Sequence, residues 1–90
     1  MKNENNPQTR LKDKLTSDFY LACFLRAKGF RLLGVEKSKL DPQRVIFIFE
    51  NKKNQEKIVE DFLFGRAQIE PKSFISAIKE LKQLIHSIYD

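Results

Sequence analysis

Residues 44–50 read RVIFIFE, in which five consecutive apolar residues stand between an arginine and a glutamate. All five are β-branched or aromatic, the types enriched in strands, so the stretch predicts a β-strand. Because side chains alternate along a strand, the valine and both phenylalanines point to one face and the two isoleucines to the other. Both faces are therefore apolar, and the strand either lies between two covering layers or leaves one face for a partner molecule.

A second β-rich run precedes this strand at residues 30–36, and residues 37–43 between the two runs contain serine, aspartate and proline. Turn-forming residues between two such runs predict a hairpin with a long loop. A brief third strand is expected over residues 66–69, which are too few for a helix. Its Ala67 and Ile69 would point to one side of the sheet.

The first helix is expected from about Asp18 to Lys28, immediately before the hairpin. Thr16 or Ser17 is predicted to cap its first turn, and Gly29 is predicted to end it in a left-handed conformation. The run is apolar on nearly every side. Such a helix must be buried on more than one face.

Two more helices are expected in the second half of the chain. One begins after the capping residue Asn54, ends near Phe64, and has an apolar stripe that includes Leu63. The other starts at Pro71 and continues to about Tyr89, with apolar residues at alternating steps of four and three. The predicted order is helix, strand, strand, helix, short strand, helix. This is an α+β fold with a small antiparallel sheet of two or three strands covered by helices.

The domain organisation follows from composition. Residues 1–15 are mostly polar and charged, so we interpret them as a mobile tail, and residues 16–90 as a single α+β domain. The longest apolar run, residues 19–25, is shorter than the roughly 20 residues that a membrane-spanning helix needs. Residues 1–8 contain no apolar stretch typical of a secretory signal. We therefore expect a cytoplasmic protein with no membrane partner.

The sequence contains no recognisable catalytic or cofactor signature. Cys23 and His86 are the single residues of their types, too few for a structural metal site or an internal disulfide. Asp41, Glu50 and Lys52 follow the order of a metal-dependent nuclease motif, but an extended strand would hold the two acids roughly 30 Å apart. We predict that the domain is not an enzyme and uses no cofactor, metal or small-molecule substrate.

Three segments carry a resemblance to a known family: SDFYLACFLRAKGF at residues 17–30, VIFIF at 45–49 and GRAQIEP at 65–71. Together they resemble a family of small bacterial domains of unknown function, over about residues 18–85. The resemblance implies the fold boundaries and a bacterial or phage-related setting. It implies no site residue, because the shared motifs concern packing and turns.

The net charge of +5 lies entirely in residues 10–44, whereas basic and acidic residues are equal in number over residues 45–90. If the basic residues share one surface, that surface attracts phosphate groups. The candidate nucleic-acid-binding residues are Arg26, Lys28, Arg31, Lys37, Lys39 and Arg44. The same residues also have explanations that need no ligand. Cations in the last turn of a helix complement its dipole, and lysines at the edge of a sheet prevent pairing with other molecules.

Two functions remain open from the sequence. The first is binding of DNA or RNA without sequence preference, through the basic first half of the chain. The alternative is a protein–protein interaction or homodimerisation module. Its basis is that the doubly apolar strand and the long stripe of the last helix offer more apolar surface than one small domain easily covers.

Overall fold

The computed structural model describes residues 13–89 of the chain. The fold is α+β, as the sequence predicts, with three helices and one three-stranded antiparallel sheet. Its elements are β1 Lys14–Thr16, α1 Phe19–Ala27, β2 Leu32–Lys37, β3 Val45–Phe49, α2 Gln55–Leu63 and α3 Pro71–Tyr89. Within the described range, no helix combines the length and the apolar composition that a bilayer-spanning segment requires.

The sheet has the strand order β1-β3-β2, so β3 is central and antiparallel to both neighbours. One row of the register runs straight across it, with Leu15 of β1 and Gly34 of β2 both paired to Ile48. A β-bulge lies between Leu32 and Gly34 and leaves Leu33 as an extra, exposed residue. The bulge keeps Leu32 on the covered side of the sheet, where it packs against the core.

The third strand does not lie where the sequence places it. Residues 66–69 have no regular structure, and Lys14–Thr16 supply the third strand instead by pairing with β3. The predicted tail over residues 1–15 is therefore too long at its end, while residues 1–12 lie outside the described range. An edge strand of three residues depends on the neighbour it pairs with, so it leaves little pattern in its own sequence.

The cap of α1 also differs from the prediction. Asp18 is the N-cap residue, and its Oδ1 accepts a hydrogen bond from the backbone N–H of Leu21 at 3.1 Å. Thr16, one of the two predicted caps, instead accepts a hydrogen bond from the Asp18 N–H through Oγ1 at 3.0 Å. The prediction that this helix is buried on more than one side is confirmed, since residues 21–25 are all buried.

Most of the predicted helix boundaries are confirmed. Gly29 and Gly65 follow α1 and α2 with φ values of +99° and +75°, the left-handed region that glycine tolerates best, and Pro71 is the first residue of α3. The prediction that Leu63 belongs to the buried stripe of α2 is wrong, because this side chain is 60% exposed. It lies in the last turn of α2, beyond Phe62, which packs against the core.

Two carboxylates fix the segment between α2 and α3. Asp61 accepts hydrogen bonds from Lys57 Nζ at 3.0 Å and from Arg66 Nε at 3.3 Å, and the bond from Lys57 is the main cause of its lowered pKa. Glu70 accepts a hydrogen bond from the backbone N–H of Ser73 at 2.8 Å, which likewise lowers the pKa of this carboxyl group. The bond from Arg66 ties the chain after α2 to that helix, and the bond from Ser73 satisfies a free N–H in the first turn of α3.

All three helices contribute to one core on one side of the sheet. Val45, Phe47 and Phe49 of β3 point to this side and are buried, Phe47 with only 1% of its surface exposed. They belong to the same cluster as the buried residues of α1, α2 and α3. Ile46 and Ile48, which point the other way, lie outside this cluster and are only partly buried.

Candidate interaction surface

The side of the sheet that faces away from the helices is called the outer face here. The register assigns to it Leu15 of β1, Gly34 and Glu36 of β2, and Ile46 and Ile48 of β3. Leu15 is 56% exposed, and the two isoleucines are half-buried by their neighbours. Among residues 13–89, no helix packs on this face. Within this part of the chain, the sheet therefore has one apolar face that is covered and one that is not.

A groove of about 470 Å³ lies at the end of the outer face next to the hairpin loop. Leu15, Leu40 and Ile46 form its apolar part, and Glu36, Ser38 and Lys39 are among its polar residues. Leu40 is 98% exposed, the highest value among the large apolar side chains of the described residues. Exposed apolar side chains that cluster beside polar residues are typical of protein interaction sites.

The hairpin loop that carries Leu40 is held by specific hydrogen bonds. Ser38 Oγ accepts from the backbone N–H of Leu40 at 3.2 Å and from that of Asp41 at 3.3 Å. The hydroxyl of Tyr89, in the last turn of α3, donates to the carbonyl of Pro42 at 2.7 Å. The loop is thus fixed at both its start and its middle. The exposure of Leu40 is a consequence of the fold.

The six predicted nucleic-acid-binding residues fall into two groups at opposite ends of β2. The helix-end group lies where α1 ends and β2 begins, and the hairpin-end group lies beside the hairpin loop. Their members are Arg26, Lys28 and Arg31 in the first group, and Lys37, Lys39 and Arg44 in the second. At about 3.3 Å per residue, the length of β2 holds the two groups roughly 20 Å apart. The fold does not bring all six cations together.

The helix-end group is partly neutralised and partly packed. Arg26 Nε forms a salt bridge with Glu80 of α3 at 3.2 Å. Lys28 Nζ lies 5.6 Å from the ring centroid of Phe24, a cation–π contact. Arg31 is exposed. The carboxylate of α3 thus removes Arg26 from the set of cations that a phosphate could bind without competition.

The hairpin-end group keeps more of its positive charge. Lys37 Nζ lies 4.7 Å from the ring centroid of Tyr89, and Arg44 Nη1 donates a hydrogen bond to Ser17 Oγ at 3.3 Å. Lys39 is exposed. No carboxylate within residues 13–89 forms a salt bridge with any of the three. This end of the sheet is therefore electropositive beside the apolar groove.

The remaining chemistry-bearing residues do not assemble into a second site. Phe47 and Phe49 are buried in the core, so their rings are not available for stacking on bases. Asp41 lies in the hairpin loop and Glu50 at the far end of β3. Burial raises the pKa of the Cys23 thiol to about 11. Across the described part of the chain, no three His, Cys, Asp or Glu residues are placed to hold a metal ion.

Sequence reasoning found the outer face only in part. The alternation in β3 predicts a second apolar face, and Ile46 and Ile48 form its centre. Leu15 was assigned to the tail and Leu40 to the hairpin loop, where isolated leucines carry no pattern. Gly34 was not singled out, although a glycine within a strand often marks a β-bulge such as the one that precedes it here.

Comparisons with known proteins identify the family of the chain but no site and no activity. No curated protein and no solved structure matches the chain. A family model matches residues 11–87, a range that contains every element from β1 up to the last turn of α3. The resemblance seen in the sequence, over about residues 18–85, is thereby confirmed and extended to include β1. The chain belongs to the family described as a domain of unknown function, DUF5659.

Proposed function

We propose that this domain is a protein–protein interaction module that binds its partner through the outer face of its sheet. The observation that carries the proposal is the exposure of Leu15 and Leu40 on a face that no helix among residues 13–89 covers. Burial of one leucine side chain stabilises a complex by roughly 1.5–3 kcal/mol before the costs of association. The two leucines therefore provide a driving force that residues 13–89 leave unused.

The surroundings of the two leucines suit an interface. Ile46 lines the same groove, and Glu36 and Lys39 are among the polar residues of its lining. An apolar centre with a polar rim is the usual composition of an interaction site, because the rim fixes orientation while the centre supplies most of the affinity. The fixed hairpin loop also means that little conformational entropy is lost when Leu40 is buried.

Nucleic-acid binding, predicted from the net charge, has weaker support. None of the hairpin-end cations Lys37, Lys39 and Arg44 forms a salt bridge among residues 13–89. Lys37, however, lies against Tyr89 on the helix side of the sheet, and the aromatic rings of β3 point into the core. Three phosphate contacts give a modest, strongly salt-dependent affinity. Binding of DNA or RNA therefore stays a prediction, and the outer face is the better-supported site.

Photo-crosslinking tests the proposal in the cells that produce the protein. A benzophenone amino acid at position 40 should give a discrete crosslinked product, because the side chain there would lie in the interface. The same probe in place of Gln83, which is exposed on α3, is the matched control and should give none. Leu15→Lys should suppress the product from position 40 without unfolding the domain, since Leu15 is largely exposed. Equal products from both probe positions would refute the proposal.

A further inference from the structure

We infer that Tyr89 is a positioning residue for the proposed interface, because it holds the hairpin loop in the conformation that presents Leu40 to the partner. The inference rests on the proposed function and deepens it. Its basis is a hydrogen bond of 2.7 Å from the Tyr89 hydroxyl to the backbone carbonyl of Pro42, which lies 47 positions earlier in the chain. The bond joins the end of α3 to the loop between β2 and β3.

The position of the tyrosine is set by the core. Tyr89 lies in the last turn of α3, four residues after Ile85, so the two side chains share one face of the helix. Ile85 packs against the core, and Leu81, a further turn back, is fully buried. The Tyr89 ring also makes a cation–π contact with Lys37, whose Nζ lies 4.7 Å from the ring centroid. Although 42% of the tyrosine is exposed, these contacts set the point from which its hydroxyl reaches the loop.

The other hydrogen bonds of the loop are local. Ser38 Oγ accepts from the backbone N–H groups of Leu40 and Asp41. Asp41 Oδ1 in turn accepts from the N–H of Gln43 at 3.1 Å. Among residues 13–89, the bond from Tyr89 is the only hydrogen bond between the backbone of the loop and a helix. The direction in which the loop points therefore depends on the strands at its base and on this bond.

Leu40 cannot fix its own direction. Its side chain is 98% exposed, so it has almost no contact within residues 13–89 that would hold it. It lies two residues before Pro42, whose carbonyl accepts the bond from Tyr89. Leu40 also lines the groove of the outer face, so the position of the loop decides the width of that groove. A loop that is fixed in advance loses less conformational entropy on binding than a free loop does.

Tyr89 itself lies outside the proposed interface. The groove on the outer face is lined by residues 15–17, 36–40 and 46, and the tyrosine is not among them. Tyr89 instead lines a second groove of about 400 Å³, together with Phe47 and Ile85, on the helix side of the sheet. An effect of Tyr89 on binding would thus reach the partner through Leu40.

Tyr89→Phe tests this role, because it removes the hydroxyl and keeps the ring on which Lys37 lies. Binding is measured with the benzophenone amino acid at position 15, on β1, so that the probe does not move with the loop. In the cells that produce the protein, the yield of crosslinked product per folded chain should fall roughly two- to tenfold, the range that the loss of one hydrogen bond explains. Tyr20→Phe is the matched control and should leave the yield unchanged, since the side chain of Tyr20 is 55% exposed on α1 and forms no hydrogen bond with the loop.

A double change shows whether the tyrosine acts through the leucine. In a chain that carries Leu40→Ala, adding Tyr89→Phe should lower the yield no further, because no long side chain remains for the loop to position. An equal fall with and without Leu40→Ala would overturn the inference, since Tyr89 would then act by another route.

Hydrogen exchange measured by NMR tests the loop without a partner. Tyr89→Phe should raise the exchange rates of the Leu40 and Gln43 amides about two- to tenfold and leave those of β3 unchanged. Unchanged exchange in the loop would overturn the inference. A crosslinked product from position 15 that is indifferent to Tyr89→Phe would also overturn it, but would leave the proposed function standing. Absence of product from both positions 15 and 40 in the otherwise unchanged protein would remove the proposed function and the inference together.

Discussion

Phe47→Ala and Ile48→Ala are neighbouring changes on β3 that compare the covered and the outer face of the sheet. Phe47 is 1% exposed and belongs to the core, so its truncation should cost about 3–5 kcal/mol, including the cavity left behind. Ile48 is half-buried outside the core. Its truncation removes fewer contacts and lets water enter, so it should cost about 1 kcal/mol. Both changes lose a similar strand preference, which cancels in the comparison.

Urea unfolding followed by far-ultraviolet circular dichroism measures the difference, at low micromolar protein so that association does not contribute. With a slope of about 1 kcal/mol/M for a small domain, Phe47→Ala should lower the midpoint by about 3–5 M and Ile48→Ala by about 1 M. A protein with Phe47→Ala that is partly unfolded without urea agrees with this expectation, because the loss approaches the total stability of a small domain. Equal losses for the two variants would refute an uncovered outer face.

The remaining predictions concern the buried thiol, two surface carboxylates and the hairpin-end cations. In mildly alkaline buffer, Cys23 should react with a disulfide reagent far more slowly than in denaturant, because burial raises its pKa to about 11; equally fast reaction would contradict its burial. The pKa values of Asp61 and Glu70 are lowered in the fold, so the unfolded chain binds protons first as the pH falls. The stabilisation that these two carboxylates provide is complete above the pH range in which unfolded carboxyl groups titrate, and it is lost as the pH falls through their lowered pKa values in the fold. Asp61→Asn with Glu70→Gln should therefore reduce the fall in melting temperature between neutral and acidic pH. If the hairpin-end group alone binds nucleic acid, oligonucleotide affinity should fall with salt at a log–log slope of about −2.7, because this group contains three cations. Lys37→Glu with Lys39→Glu should then abolish binding, whereas a slope near −5.4 would mean that both groups of cations act together.

The fold could be predicted where its signals are local. The alternation in residues 45–49 depends only on the direction of successive side chains, and it identified β3 and its two apolar faces. Pro71 and Gly29 marked helix boundaries because their backbone preferences act at their own positions. Each of these signals holds whatever the rest of the chain does.

The strand β1 could not be predicted because its stability comes from its neighbour. Lys14–Thr16 contain one apolar residue and pair with β3 more than thirty residues later in the chain. A polar segment that gains ladder hydrogen bonds beside an existing strand looks the same, in sequence, as a polar segment that does not. Residues 66–69 had the stronger local pattern but formed no strand.

The six predicted nucleic-acid-binding residues lie in two separate groups because β2 stands between them. Arg31 precedes β2, whereas Lys37 is its last residue. An extended segment separates its two ends by about 3.3 Å per residue, so residues close in sequence across a strand lie far apart in space. Closeness in sequence predicts a shared surface on a helix face or within a loop. Along a strand, it predicts opposite ends.

The outer face shows which information about a binding surface lies in the sequence and which lies only in the register. Ile46 and Ile48 follow from alternation, but the relation between Leu15 and Gly34 exists only once both are paired with Ile48. Gly34 also borders the β-bulge after Leu32, an irregularity at which glycine is common. Leu15 in turn joins this face only because β1 pairs with β3. The pairing of strands distant in sequence, and no local pattern, therefore places an exposed leucine beside the isoleucines on the face through which we propose that this domain binds its partner.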